Sequence, residues 1–267
     1  MMNTAPPYDA PRLLRTKLLV PRLPARVIPR PRLLHHLAHG LHRRLIVVAA
    51  PAGFGKTTAL GQWLLERELD SAWVSLDERD NDPTRFWAYV VAAVQTLRPE
   101  IGVTALAMLQ APQPPPLETN LTELLNDLVL MPDDFILVLD DYHVVQHPDI
   151  HKGVTFVVDN LPSQTHLAIA SRTKPPLPLP LWRARRQLVE LSSDDLRFTP
   201  EEVTDFFNRV MELGLTPDQV SALEAATEGW IAGLQLAALS MEGEEDLTTF
   251  IHSFSGSHRY VFDYLAQ

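Results

Sequence analysis

Nine residues, Ala50-Pro51-Ala52-Gly53-Phe54-Gly55-Lys56-Thr57-Thr58, constrain the fold of this 267-residue chain more than any other stretch. They follow the apolar run Leu45-Ile46-Val47-Val48-Ala49 and precede a helix-like segment over 59–69. Strand, glycine-rich turn, Lys-Thr and helix is the order of a P-loop. Consecutive backbone N–H groups of such a turn wrap a phosphate, and the helix N-terminus adds its positive dipole end. Ala52, Gly53, Phe54, Gly55 and Thr58 would form the cradle. Lys56 would neutralise phosphate oxygens, and the Thr57 hydroxyl would ligate Mg²⁺. The motif G-x-x-x-x-G-K-[ST] calls for Gly where this chain has Ala50. A small side chain still suits the exit from the strand, and Gly53 and Gly55 relieve crowding near phosphate. The alternative is a chance Gly-Lys-Thr, which the strand–turn–helix context opposes.

A second apolar run, Phe135-Ile136-Leu137-Val138-Leu139, ends in Asp140-Asp141-Tyr142-His143. An unbroken run of this kind predicts a central strand buried on both faces of a parallel sheet. Its end delivers two carboxylates to the edge where such sheets bind ligands. Beside a P-loop this is a Walker B element, with Asp140 in the Mg²⁺ shell and Asp141 orienting or deprotonating the attacking water. A strand over 166–170 ends in Ser171-Arg172, which places Arg172 to reach a γ-phosphate. Further strands are predicted at 71–76 and 187–191. The expected fold is therefore α/β, a P-loop NTPase with a parallel β-sheet sandwiched by helices, followed by a small all-helical subdomain.

Helix boundaries follow from capping chemistry. Asp82 and Pro83 read as N-cap and first helical residue of a helix to about 97, with Phe86, Trp87, Val90, Val91 and Val94 inward. The loop 77–82 lacks the Gly of a calcium loop and carries Arg79 where an oxygen ligand belongs. Asn120-Leu121-Thr122-Glu123 reads as a capping box opening a helix to about 131. Other helices are predicted at 32–40 and 148–160, and the proline-rich 175–180 reads as a rigid crossover. Thr199-Pro200-Glu201-Glu202 and Thr216-Pro217-Asp218-Gln219 open two more helices, over 200–212 and 217–227, and another spans 229–241. Among the histidines, His35 and His39 share a face without the Glu of a zinc helix. His143, His147 and His151 are interrupted by Pro148, so no metal site is expected.

The net charge of −10 hides an asymmetry: residues 12–44 hold nine Arg or Lys and no acid, while 45–267 hold 32 of the 33 acidic residues. The acidic bulk argues against broad nucleic-acid binding. The helical end resembles a helix-turn-helix in spacing, yet it lacks Arg and Lys from 210 to 258, which opposes phosphate contact. The basic lead is expected to fold onto the body near bound phosphates; its prolines oppose the amphipathic helix of a transit peptide. No apolar run reaches the roughly 18–20 residues of a membrane span, so no membrane partner is expected. The absence of cysteine fits a reducing, cytoplasmic setting.

With these pieces placed, the chain resembles the N-terminal ATPase of MalT-like LuxR-family transcriptional regulators, within the STAND class of P-loop ATPases related to NB-ARC and NACHT modules. The match is carried in order by Thr16-Lys17-Leu18 and Val27-Ile28-Pro29-Arg30-Pro31-Arg32-Leu33-Leu34, then 50–58, then Leu76-Asp77 with Asp80-Asn81-Asp82-Pro83, then Asp140-Asp141-Tyr142-His143. Ser171-Arg172 and Glu228-Gly229-Trp230-Ile231-Ala232-Gly233-Leu234-Gln235-Leu236 extend it. The resemblance implies ATP/ADP and Mg²⁺ as cofactors, slow hydrolysis that resets a switch, and self-association in the ATP state. It implies that Val27, Ile28 and Arg30 pack around the nucleotide and that Arg172 is the sensor arginine. Pro29, Pro31 and Gln235 depart from residues common in the wider class. The implied division is a disordered tail over 1–11, a nucleotide-binding domain over 12–193, a helical subdomain over 194–253, and the start of a winged helix over 254–267. Inducer and DNA would be met only by regions beyond this chain. Two other readings stay open: a small-molecule kinase with Arg183, Arg185 and Arg186 as lid residues, and a degenerate P-loop scaffold for protein contacts.

Overall fold

Five runs rich in Val, Ile, Leu and Ala adopt the strand conformation: β1 (Leu45–Ala49), β2 (Asp70–Ser75), β3 (Phe135–Asp140), β4 (Thr165–Ser171) and β5 (Leu188–Leu191). The computed structural model describes residues 13–241 together with 247, 250 and 251. The expected tail over 1–11 and the expected winged-helix start over 254–267 lie outside the described residues. The strands pair in parallel in the order β2-β3-β4-β1-β5.

Parallel neighbours need long crossovers, and helices supply them. Helix α1 (Pro31–Ala38) precedes the sheet, and α2 (Lys56–Glu66) joins β1 to β2. Helices α3 (Pro83–Gln95), α4 (Val103–Leu109) and α5 (Leu117–Leu128) join β2 to β3. Helix α6 (Pro148–Asn160) joins β3 to β4, and α7 (Leu179–Ala184) joins β4 to β5. Beyond the sheet come α8 (Ser193–Leu196), α9 (Pro200–Asp205) running into a π-turn over Phe206–Val210, α10 (Pro217–Thr227) and α11 (Ile231–Met241).

The strand period of two decides which residue faces which layer. Leu45, Val47, Ala72, Val74, Leu137, Leu139, Leu167 and Ile169 share one apolar cluster with α3 to α6. Their neighbours Ile46, Val48, Trp73, Ile136, Val138, Ala168 and Ala170 share the opposite one with α1 and α2. Every residue of β3 and of β4 is buried, as expected for strands covered on both faces. A third cluster holds Val203, Phe206, Phe207, Val220, Leu223, Leu234 and Ala237 from the terminal helices, and Ile28 of the lead joins it.

The capping predictions hold at Asp82, which accepts from Arg85 N–H, and at Thr199 and Thr216, each closing a capping box. One fails. Helix α5 begins at Leu117 behind Pro116, not at Asn120. Prolines 114–116 hold the chain extended up to that point, so Asn120 is a mid-helix residue. It is 1% exposed, and its amide donates to Pro115 O at 3.3 Å. Helices α4 and α7 were not foreseen. The basic lead folds onto the body as expected, but its cations meet carboxylates. Lys17 pairs with Asp80 and, at 3.2 Å, with Asp77; Arg26 pairs with Glu212, and Arg32 reaches Glu202.

Candidate functional site

Strand β1 hands the chain to α2 through residues 50–55. Gly53 and Gly55 have φ of 75° and 76°, a left-handed conformation that glycine adopts without the Cβ penalty. Gly55 is the N-cap of α2, so the first free N–H groups of that helix open onto the turn. Ala50 is not among the residues of positive φ. It is 2% exposed, and its N–H bonds to Ser171 O at 3.2 Å. The position demands a small side chain but no glycine, which accounts for the departure from the motif.

The strand order brings the other predicted polar residues to the same edge. The register pairs Leu139 with Ile169 and Val48 with Ala170, so Asp140, the β1 exit and Arg172 share one level of the sheet. The Thr57 hydroxyl donates to the Asp140 carboxylate at 2.9 and 3.1 Å from its two oxygens. Burial, reinforced by the Asp141 charge, raises the Asp140 pKa to about 6. Asp141 sits in the left-handed region at φ 58°, a conformation that Asp tolerates better than most residues. Its carboxylate lies 3.7 Å from His143 Nδ1. Lys56 is 7% exposed, and its ammonium donates to Pro51 O at 2.9 Å. Burial lowers its pKa, Asp141 and Asp140 oppose that shift, and Arg172 adds to it.

Lys56, Thr57, Asp141 and Arg172 line a cleft of about 470 Å³, whereas Asp140 is not in its lining and reaches it only through its bond to Thr57. Lys56, Thr57, Thr58, Asp141 and Arg172 form a polar end, with Ala52, Gly53 and Gly55 beneath it. Val27, Ile28, Phe198, Phe206 and Met211 form an apolar end. A cleft with apolar, aromatic side chains and a cationic, N–H-rich end complements a base joined to phosphates. The oxygen pair of Thr57 and Asp140 fits Mg²⁺, a hard cation that takes few protein ligands and completes its shell with phosphate and water. Among the described residues no group of three or more His, Cys, Asp or Glu could hold a metal.

The terminal helices close over the turn. Trp230 Nε1 donates to Ala52 O at 3.1 Å, and Ala232 N–H donates to Gly53 O at 3.2 Å. Phe54 packs on Trp230, with ring centroids 6.4 Å apart, and is not part of the cleft lining. Arg30 lines the cleft, but its guanidinium is committed elsewhere. It bonds Glu202 Oε2, Leu196 O and Arg197 O, and lies 4.3 Å from the centre of the Phe198 ring. Burial lowers its pKa, opposed by Glu202.

The sequence reading missed Phe198, Phe206, Met211 and Gln62, all in the lining. The first three lie about 140 residues or more beyond the P-loop, and no local pattern marks them as neighbours of it. The arginines of the kinase reading lie elsewhere. Arg183 pairs with Glu190 and Arg185 with Asp159. Arg186 lies just before β5, at the sheet edge opposite the P-loop.

Strand order and turn together define a P-loop NTPase fold. Among solved structures, a STAND protein with a tetratricopeptide repeat sensor from Pyrococcus horikoshii aligns with a TM-score of 0.65 at 15% identity, over 86% of this chain and 32% of that one. A Walker-type ATPase of Pyrococcus abyssi aligns with a TM-score of 0.55 at 15% identity, over 86% and 73%. The chain is a relative of the HTH-type transcriptional regulators MalT. It is 35% identical to that of Cronobacter sakazakii over 228 residues and 32% identical to that of Vibrio cholerae over 254 residues. These alignments cover 85% and 94% of this chain, which spans only 25% and 28% of the two regulators. No family model matches the chain.

Proposed function

We propose that the chain is the nucleotide-binding switch of a cytoplasmic, signal-responsive transcription regulator, holding ATP or ADP with Mg²⁺ and hydrolysing ATP slowly. The sheet with its helices and the helical group after about residue 193 act as two subdomains. One observation carries the reading: the terminal helices bond directly to the carbonyls of Ala52 and Gly53 and form the apolar wall of the same cleft. A device built only for turnover has no need to fasten a second group of helices to its phosphate loop.

Residues 52–58 would wrap the phosphates, with the α2 N-terminus and the Lys56 ammonium supplying positive charge. Thr57 and Asp140 would hold Mg²⁺, which when bound neutralises phosphate charge. Asp141 would accept the proton of the attacking water, and Arg172 would meet charge at the γ position. Val27 and Ile28 would pack against the base, while Arg30 fixes their segment to the terminal helices. Phosphate-dependent loosening of the helical group would permit self-association. Inducer and DNA would be bound by the remaining length that such regulators have.

Calorimetric titration of ADP and ATP into the chain and its Lys56→Ala variant tests this. A charge-assisted contact of this kind is worth about 1.5–3 kcal/mol, so the variant should bind about 10- to 100-fold more weakly. Equal affinity in both would sink the site.

A further inference from the structure

Two peptide units of the phosphate loop, Ala52–Gly53 and Gly53–Phe54, are held from one side only. The carbonyl of the first accepts from Trp230 Nε1 at 3.1 Å, and that of the second from Ala232 N–H at 3.2 Å. Among the described residues these two oxygens have no other hydrogen-bond partner, and the N–H groups of Gly53 and Phe54 donate to no protein group. Both units are trans. In a planar trans peptide the N–H points opposite to the C=O, so the two donors are turned away from the start of α11. They are left for a ligand of the cleft that Ala52 and Gly53 line.

No hydrogen bond within the loop fixes the orientation of these units. Both adjoin Gly53, whose φ of 75° a residue without Cβ leaves as readily as it adopts. Rotating either unit about its flanking bonds would exchange an N–H for a carbonyl oxygen, which repels phosphate. Trp230 opposes that rotation. Its ring is seated against Gly233, where a Cβ would stand 2.7 Å from Trp230 Cε3, and against Phe54, with centroids 6.4 Å apart. The indole nitrogen can only donate, so its bond to the Ala52 carbonyl has one sense.

Resting on the nucleotide site proposed above, we infer that Trp230 is a positioning residue of the phosphate loop. Docked terminal helices hold the Ala52–Gly53 and Gly53–Phe54 units with their N–H groups toward a diphosphate, and undocked helices release them. The apolar wall of Phe198, Phe206 and Met211 meets the base, so Trp230 acts on phosphate affinity and not on base affinity. By linkage, a diphosphate in the loop strengthens helix docking by the same factor.

Trp230→Phe keeps an aromatic ring beside Phe54 and removes the indole donor. NMR titration of the chain and of this variant with inorganic pyrophosphate, ADP and adenosine reads the split. Loss of one neutral hydrogen bond should weaken pyrophosphate and ADP about threefold to tenfold and leave adenosine unchanged. Unchanged pyrophosphate affinity overturns the inference, and so does an equal loss for adenosine, which would mean that the ring only supports the cleft wall. Lys56→Ala separates the two levels of the reading. If it weakens ADP and Trp230→Phe does not, this inference fails and the site stands; if the unsubstituted chain binds neither ADP nor pyrophosphate, both fail. Should Trp230→Phe not fold, the indole N–H resonance of Trp230 in the unsubstituted chain decides. Saturating pyrophosphate should slow its exchange with solvent and adenosine should not; equal exchange with and without pyrophosphate overturns the inference.

Discussion

Asp140 and Asp141 are adjacent in sequence but differ in surroundings. Asp140 is 3% exposed and bonded to Thr57, whereas the Asp141 side chain is 48% exposed and faces the cleft. Asp141→Asn should therefore leave nucleotide affinity within about threefold and lower hydrolysis about 100-fold or more, since a general base acts on water and not on ground-state phosphate. Calorimetry and a phosphate-release assay read the two effects; a strong loss of binding would mean that Asp141 holds the metal. His151 makes a different case. Its Nδ1 lies 2.9 Å from the Tyr142 hydroxyl, and burial lowers its pKa from 6.5, with the His147 charge adding to the shift. The folded state thus resists the proton that the unfolded state takes up. Its contribution to stability is present above pH 6.5 and is lost as pH falls through the lowered value. Urea unfolding from pH 7.5 to 5 should show a decline that is shallower in His151→Asn; equal slopes would remove this group from the pH dependence.

At the scale of elements, the lead is fastened to the start of α3 by charge. Lys17 is 7% exposed, pairs with the fully buried Asp80, and lies over the Tyr89 ring at 4.5 Å, while Arg85 holds the other Asp80 oxygen at 3.0 Å. Lys17→Met leaves part of a buried carboxylate unanswered and should cost about 3 kcal/mol in urea unfolding. Lys17→Met combined with Asp80→Asn should recover part of that loss, and an additive double variant would show that the pair does not couple. This link also shows what the sequence could tell. The P-loop, the β3 run with its Asp pair, and the caps at Asp82, Thr199 and Thr216 were legible because each is written within a few neighbouring residues. The Lys17–Asp80 pair spans 63 positions and follows no periodicity, so both motifs were visible while their contact was not. Asn120 misled because a capping pattern is local, whereas the prolines ahead of it and the need to bury Leu121 and Leu124 decided where α5 begins. The polar end of the cleft was readable by the same logic, and its apolar end, made by Phe198, Phe206 and Met211, was not.

At the scale of the molecule, Arg30 joins the lead to the terminal helices through Glu202 and the carbonyls of Leu196 and Arg197. Arg30→Met should accelerate amide exchange across α9 to α11 while protection in β1, β3 and β4 stays unchanged. Hydrogen exchange with mass spectrometry reads this, and uniform acceleration would show that the two parts open as one. The strand order has a consequence for biosynthesis. β1 pairs only with β4 and β5, whereas β2 pairs with β3. The strand that carries the phosphate loop is among the first made, yet both its edges stay unsatisfied until residues 165–191 have left the ribosome. Long-range parallel pairing of this kind is slow, so a nascent chain gains its glycine-rich turn only near the end of sheet assembly. A ligand that needs this turn could act only on the finished sheet and not guide its early folding, and an apolar β1 stays prone to aggregation throughout that interval.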